Sequence, residues 1–129
     1  MTLILCVDDR GGLMFNRRRQ SQDRLVRADM LRLCGERPLA VSLYTARQFA
    51  PEDRVKVVDQ PGKEDIFFLE DLPPQPCLER AEKLVLYHWN RVYPGDVHIA
   101  LPPQGWSLEE QVEFPGHSHE TITREVYSR

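Results

Sequence analysis

The chain has 129 residues, of which 41% are hydrophobic and 29% charged, and its formal net charge is −3. These values are typical of one soluble domain that is large enough to bury a core. The N-terminal segment places only five apolar residues before two aspartates and has no basic region ahead of them. The sequence therefore predicts neither a signal peptide nor a membrane span there, and it indicates a cytoplasmic protein.

The three cysteines, Cys6, Cys34 and Cys77, lie far apart along the chain and are odd in number. They form no Cys-x-x-Cys pair, which would indicate a zinc site or a redox motif. Isolated cysteines inside a soluble domain are typical of reduced, buried thiols. The sequence predicts neither a disulfide framework nor a metal site built on cysteine.

The charged residues are distributed unevenly. Residues 1–56 contain 11 Lys/Arg and 7 Asp/Glu, whereas residues 57–129 contain 6 and 13. The basic part includes the run Arg17-Arg18-Arg19, and planar guanidinium groups suit phosphates and carboxylates. Such runs more often simply face water. With a sequence pI near 5.8 and no motif of a nucleic-acid-binding fold, RNA or DNA is an unfavoured partner.

The first elements are a strand and a helix. Residues 2–8 are nearly all apolar and predict a strand that is buried on both faces. After a polar segment that contains Gly-Gly, a helix is predicted from Gln22 to Cys34. Ser21 is a suitable N-cap for this helix, and Gly35 is a suitable C-terminal stop. Apolar residues recur along it at helical spacing, which indicates that one side packs against the core.

Downstream of the helix the pattern predicts mainly strands. Thr45 to Gln48 has the form of a capping box that begins a short helix, and one more helical turn is predicted over 77–81. Strands are predicted at 38–44, 55–58, 65–69, 83–92, 106–114 and 120–127. This order predicts a single α/β domain over residues 1–129. Its sheet is mixed and mostly parallel, with an antiparallel C-terminal hairpin and few flanking helices.

Several motifs together resemble the dihydrofolate reductases. The matching positions near the C-terminus are Lys83, Leu84, Leu86, Gly95, Asp96, Trp106, Tyr127 and Arg129. The segment "ILCVDDRGGL" resembles the first strand of that family and the start of its mobile loop. "RPLAVSLYTARQF" resembles the strand that leads into its cofactor-facing helix. The resemblance implies a reduced dihydrofolate-reductase-like fold.

The departures from the family concern mainly the cofactor. The mobile loop of the family carries a Pro-Trp pair where this chain has residues 16–20, and its Gly-Gly after a central strand is replaced by Glu70-Asp71. Glycines there let backbone amides approach a pyrophosphate, whereas two carboxylates repel it. Leu43 and Tyr44 stand where the family has basic residues for the 2′-phosphate of the nucleotide, although the adjacent threonine persists as Thr45. Tyr87 replaces the threonine that supports the catalytic acid in the family. The chain is also shorter by roughly a strand–helix unit between residues 50 and 65. These departures from the family imply a protein without the nicotinamide cofactor.

Asp23 is the candidate catalytic acid. It extends the apolar side of the predicted helix, close to the position where the family carries a carboxylate that binds the substrate ring. The interpretation that we favour is an acid in the first turn that complements the helix dipole. Asp8-Asp9 could bind a hard cation, but with Gly11-Gly12 following they indicate a turn, and no metal is predicted.

The histidines and serines indicate no further chemistry. His117 and His119 alternate at a predicted turn, which favours solvent-facing side chains over metal ligands. Neither Ser21 nor Ser42 lies in a nucleophile motif, so the sequence predicts no nucleophile–base pair.

The favoured hypothesis is a small protein that keeps a reduced reductase scaffold without being a reductase. It would bind a small anionic or nucleotide-like ligand, or a protein partner, through the Gly11–Arg19 loop. The predicted ligand-binding residues are Asp9, Gly11, Gly12, Arg17, Arg18, Arg19, Thr45 and Tyr87. Two alternatives stay open: a divergent NADPH-dependent reductase that uses Asp23, and an RNA- or DNA-binding protein that uses the Arg17–Arg19 cluster. A homodimer is predicted because the apolar strand over 67–69 has no evident cover.

Overall fold

Ten strands and three helices make up the computed structural model, which describes residues 1–129. The first half contains β1 (Thr2–Val7), β2 (Gly12–Phe15), β3 (Arg18–Arg19), α1 (Arg24–Cys34), β4 (Leu39–Val41), α2 (Leu43–Ala46) and β5 (Val55–Val57). The second half contains β6 (Ile66–Phe68), α3 (Gln75–Arg80), β7 (Lys83–His88), β8 (Val97–His98), β9 (Ser107–Phe114) and β10 (Ile122–Ser128). No helix has the length and apolar character that crossing a membrane requires.

Seven strands form the main sheet, in the order β5-β4-β6-β1-β7-β10-β9. The strands from β5 to β7 pair in parallel, and β10 pairs antiparallel with both β7 and β9. The prediction of a mixed, mostly parallel sheet with an antiparallel C-terminal hairpin is confirmed. Every predicted strand has a counterpart, although the strands predicted at 38–44 and 83–92 end earlier than expected.

The central strand β1 is buried on both faces, as its apolar run predicts. Ile4 and Cys6 face a core that includes α1, whereas Leu3 and Leu5 face a second core under α3 and the segment before β9. Each fully buried side chain of this size contributes about 1.5–3 kcal/mol. The sheet is therefore held by two cores, one on each face.

The N-cap residue of α1 is not the predicted one. Asp23, and not Ser21, is the N-cap, and its carboxylate accepts a hydrogen bond from the Leu25 amide at 2.9 Å. Gly35 ends the helix with a φ of 61° and donates its N–H to the Arg32 carbonyl, as expected. Ser21 is unavailable as a cap because its hydroxyl bonds to His119.

The short helix α2 begins earlier than predicted. Ser42 is its N-cap and accepts from the Thr45 amide at 3.2 Å. The capping box predicted from Thr45 to Gln48 is wrong, since Thr45 lies inside the helix and is fully buried. Residues 50–65 contain only β5 as regular structure.

The predicted mobile loop is a β-hairpin. Strands β2 and β3 pair antiparallel, and Phe15 lies opposite Arg18 across the turn. The two turn residues, Asn16 and Arg17, both have positive φ, at 52° and 61°, as a type I′ turn requires. Strand β8 pairs with the other side of β2 and completes a second, three-stranded sheet.

The uncovered apolar strand on which the homodimer prediction was based is covered in the structure. Strand β6 lies between β4 and β1, and Phe67, Phe68 and Leu69 are all buried. Strand β9 instead forms one edge of the main sheet, and it is exposed along nearly its whole length. Nothing in the structure supports the predicted homodimer.

We expect Arg17→Gly to raise the free energy of unfolding by about 0.5–1 kcal/mol, because a left-handed conformation is strained for arginine and free for glycine. Urea unfolding measures the change. The control is Arg18→Gly in the adjacent strand β3, where glycine should lower stability. Equal destabilisation by both substitutions would contradict the turn geometry.

Candidate functional site

The carboxyl ends of the parallel strands carry polar side chains at one edge of the sheet. Asp8 follows β1, Ser42 follows β4, and Glu70 follows β6 within two residues. Crevices at this edge of an open α/β sheet are the usual place for ligands. The hairpin β2–β3 lies against this edge through hydrogen bonds from Arg19 and Gln20.

An ion pair attaches the hairpin to the sheet. The Arg19 Nε lies 3.2 and 3.0 Å from the two carboxylate oxygens of Glu70. The same guanidinium stacks over the Tyr44 ring at 4.3 Å, and the Arg19 amide donates to the Tyr44 hydroxyl at 2.9 Å. The Arg19 side chain is thus held by an ion pair and by stacking within the protein.

Glu70 is buried and closely surrounded by donors. Gln48 Nε2 donates to it at 2.7 Å, and the buried Thr45 is a further hydrogen-bonding neighbour. Burial raises the pKa of Glu70 above its usual range, and Arg19 and the other donors offset only part of this effect. The adjacent carboxylate, Asp71, accepts from the Ser42 hydroxyl at 3.1 Å. Two carboxylates therefore occupy the end of β6.

Asp8 organises the turn that precedes the hairpin. Its Oδ1 accepts from the amides of Arg10 and Gly12 at 2.9 and 2.8 Å, and its Oδ2 accepts from the Tyr93 amide at 3.0 Å. Burial opposes ionisation, but these hydrogen bonds hold the pKa of Asp8 below its usual range. Gly11 is required here, since its φ is +74° and a Cβ would lie 2.2 Å from the Ile99 carbonyl oxygen. The turn interpretation of this segment is consistent with the structure.

A cavity of about 600 Å³ lies beside the hairpin. Its lining residues combine apolar and charged side chains: Met14, Arg17, Asp71, Leu72, Pro73, Asp96 and Val97. The exposed Arg17 forms no ion pair within the protein, unlike Arg19. A second cavity of about 680 Å³ shares the lining residues Pro73 and Val97 with the first, and the two neighbouring cavities are together called the cleft.

Tyr87 contacts an acid, but the acid is Asp29. The buried Tyr87 hydroxyl donates to Asp29 Oδ2 at 2.6 Å, and Arg124 Nη1 donates to both oxygens of Asp29 at 2.9 and 2.8 Å. Burial alone would raise the pKa of Asp29, and these donors together with Arg32 hold it below its usual range. Sequence reasoning missed Asp29, although it lies one helical turn after the core residue Val26.

Asp23 lies in a separate, buried network. Besides the Leu25 amide it accepts from the amides of His117 and Ser118 at 3.0 and 2.9 Å and from His119 Nδ1 at 2.8 Å. These donors outweigh the effect of burial and hold the pKa of Asp23 well below its usual range. Asp23 therefore binds the loop between β9 and β10 to the start of α1.

The prediction for His119 is wrong, because this side chain is buried and not solvent-facing. Its ring stacks on Trp89 with centroids 4.6 Å apart. Its Nε2 lies 3.0 Å from Ser21 Oγ and 3.1 Å from the Tyr93 hydroxyl. The structure thus places the Ser21 hydroxyl in contact with the His119 imidazole, a pair that the sequence did not indicate. His117 is exposed, as predicted.

The predicted ligand-binding residues do not converge on one site. Arg19 and Thr45 meet around Glu70, whereas Arg17 and Arg18 are exposed on the hairpin. Gly11 and Gly12 belong to the Asp8 turn, Asp9 is exposed, and Tyr87 lies in the core. The structure contains no group of three His, Cys, Asp or Glu side chains that could hold a metal ion.

Comparison with known proteins gives one clear result. No family model matches the sequence, and no curated protein does. Among solved structures, the chain is similar to a dihydrofolate reductase from Enterococcus faecalis complexed with NADP(H) and RAB-propyl, with a TM-score of 0.68. The match covers 99% of this chain and 95% of the other. The chain has the dihydrofolate reductase fold. The sequence identity is 9%, so this similarity concerns the dihydrofolate reductase fold alone.

We expect Arg19→Ala to lower the free energy of unfolding by about 3 kcal/mol, because it leaves a buried carboxylate without its cation. The double variant Arg19→Ala/Glu70→Gln should recover most of this loss, since the amide carries no charge. Urea unfolding of both variants measures the difference. A double variant as unstable as the single one would show that the Glu70 charge is not the cause.

Proposed function

We propose that the protein binds a small ligand on a dihydrofolate reductase scaffold and does not act as a nicotinamide-dependent reductase. The observation that carries this proposal is the ion pair of Arg19 with Glu70 at the end of β6. The resemblance in sequence assigns the pyrophosphate of the cofactor to this strand end.

The residues present do not fit the phosphates of NADPH. At 4 Å, a phosphate charge and a carboxylate repel each other by about 4 kcal/mol at an effective dielectric constant near 20. Asp71 adds a second negative charge next to Glu70. The nearest cation, Arg19, is already neutralised by Glu70, and Thr45 is buried among the same partners.

The residues on the α1 face of the sheet, around Asp29, offer a second argument. The aromatic residues Tyr87 and Trp89 belong to the core on the α1 face of the sheet. Both oxygens of Asp29 already accept hydrogen bonds from within the protein. A substrate ring that bound to Asp29 would have to displace these donors, which supports a function other than reduction of such a ring.

The cleft beside the hairpin supports a small anionic or nucleotide-like ligand. The cavity next to Arg17, at about 600 Å³, is within the usual range for small-molecule sites. Arg17 can bind a phosphate or carboxylate, Met14 and Leu72 can pack on a ring, and Asp71 and Asp96 can accept from its amino groups. Nucleic acid is a weaker candidate, because Arg19 already pairs with Glu70 and is not free to bind a phosphate of the backbone.

We expect NADPH at about 1 mM not to raise the melting temperature of the protein, because a ligand stabilises only a folded state that binds it. Differential scanning fluorimetry measures the change, with an active dihydrofolate reductase as the positive control. A rise that saturates with NADPH concentration would contradict the proposal.

We expect AMP, as a probe of nucleotide-like ligands, to bind in low salt and to lose about tenfold in affinity in Arg17→Gly. A hydrogen bond to a charged group contributes about 1.5–3 kcal/mol, which supports a loss of this size. Isothermal titration calorimetry measures the affinity.

The matched control is Arg37→Ala, an exposed arginine before β4 and thus at the opposite edge of the sheet, which should leave affinity unchanged. No binding of AMP, or an equal loss in both variants, would contradict a nucleotide site at the hairpin.

A further inference from the structure

We propose that Ser21, His119 and Asp23 form a catalytic triad that hydrolyses small carboxylic esters. This site is separate from the cleft beside Arg17 and does not depend on the ligand proposed for it.

The three side chains have the mutual geometry of nucleophile, base and orienting acid. His119 Nδ1 lies 2.8 Å from Asp23 Oδ2, and His119 Nε2 lies 3.0 Å from Ser21 Oγ. Both distances are within the hydrogen-bond reach that such catalysis requires. Because the Asp23 carboxylate only accepts, Nδ1 carries the proton and Nε2 presents its lone pair to the hydroxyl.

The base is held rigidly. Backbone amides of Leu25, His117 and Ser118 fix the Asp23 carboxylate, and the side chains of Asp23 and His119 are 0% and 2% exposed. Stacking on Trp89, at an interplanar angle of 24°, restricts rotation of the imidazole. A buried and oriented imidazole next to an ionised carboxylate is suited to stabilise the imidazolium that forms during proton transfer.

The nucleophile lies where an oxyanion can be stabilised. Ser21 is half-buried, so part of this residue contacts solvent. The amides of Gln22 and Asp23, which follow it directly, donate to no acceptor within the protein. The eleven-residue helix α1 begins just after them, and its dipole favours negative charge at this end. An amide next to the nucleophile is a common oxyanion donor.

Tyr93 is a positioning residue in this arrangement. Its hydroxyl lies 3.1 Å from His119 Nε2 and 3.5 Å from Ser21 Oγ. When Ser21 donates to Nε2, the Tyr93 hydroxyl can donate in turn to Ser21 Oγ. The chain of donors then runs from Tyr93 through Ser21 and His119 to Asp23.

The reaction needs only an ester and water. Ser21 Oγ forms a bond to the carbonyl carbon while its proton passes to His119 Nε2. The bond to the alcohol oxygen then breaks, and His119 returns the proton to the leaving alcohol. Water attacks the acyl-serine with its proton passing to His119. Collapse of this second intermediate releases the carboxylic acid and returns the proton to Ser21. Because Ser21 lines neither part of the cleft, we assign small esters presented at the surface as the substrate class.

Covalent labelling of the full chain tests the proposal. A small alkyl fluorophosphonate should attach to one residue, with the P–F bond broken, fluoride released and the Ser21 proton taken up by His119. Intact mass and peptide mapping should identify Ser21 as that residue. Release of p-nitrophenolate from p-nitrophenyl acetate should fall at least about 100-fold in Ser21→Ala, the scale expected for loss of a nucleophile.

The matched control is Ser107→Ala, an exposed serine at the start of β9, which should keep both labelling and esterase activity. Circular dichroism should show Ser21→Ala folded, because Ser21 does not cap α1. An unlabelled Ser21 in folded protein, or equal hydrolysis by Ser21→Ala, would show that the cluster only joins the loop to the helix.

Discussion

The ion pair between Arg19 and Glu70 fixes the hairpin over the carboxyl ends of the parallel strands. Glu70 is buried, and a buried carboxylate without a cation is unfavourable by several kcal/mol, so the hairpin cannot leave without exposing or neutralising it. Tyr44 holds the same arginine by stacking. The hairpin contributes Met14 and Arg17 to the wall of the cavity beside it. An internal salt bridge therefore occupies the strand end to which the resemblance in sequence assigns a cofactor pyrophosphate.

Much of the fold could be predicted from the sequence. Unbroken apolar runs in β1 and β7, helical spacing in α1 and the Pro and Gly residues between elements indicated the mixed sheet and its antiparallel ending. The hairpin was missed because Arg17 occupies the second turn position, where a type I′ turn favours glycine, and Asn16 alone is a weak signal of positive φ. Ser21 and Asp23 are both good caps, and the fold of the distant loop around His119 decides between them.

The candidate sites were less predictable, because they depend on partners far apart in the sequence. Glu70 and Asp71 were recognised as unfavourable for a phosphate, but the ion pair of Glu70 with Arg19, 51 residues away, could not be inferred. Tyr87 was recognised only as a departure from the family, and its hydrogen bond to Asp29, 58 residues away, depends on packing that no local pattern encodes. The contact of Ser21 with His119 spans 98 residues, and no local pattern encodes it.

Strand β9 has a consequence for self-association. As an exposed edge it presents free backbone donors and acceptors along one side, which is a template for pairing with another chain. In an antiparallel pair of two copies centred on Gln111, Glu109 of one copy would lie opposite Glu113 of the other. Like charges at opposed positions destabilise such a pair. The edge therefore disfavours addition of an identical strand while remaining open to a strand of opposite charge.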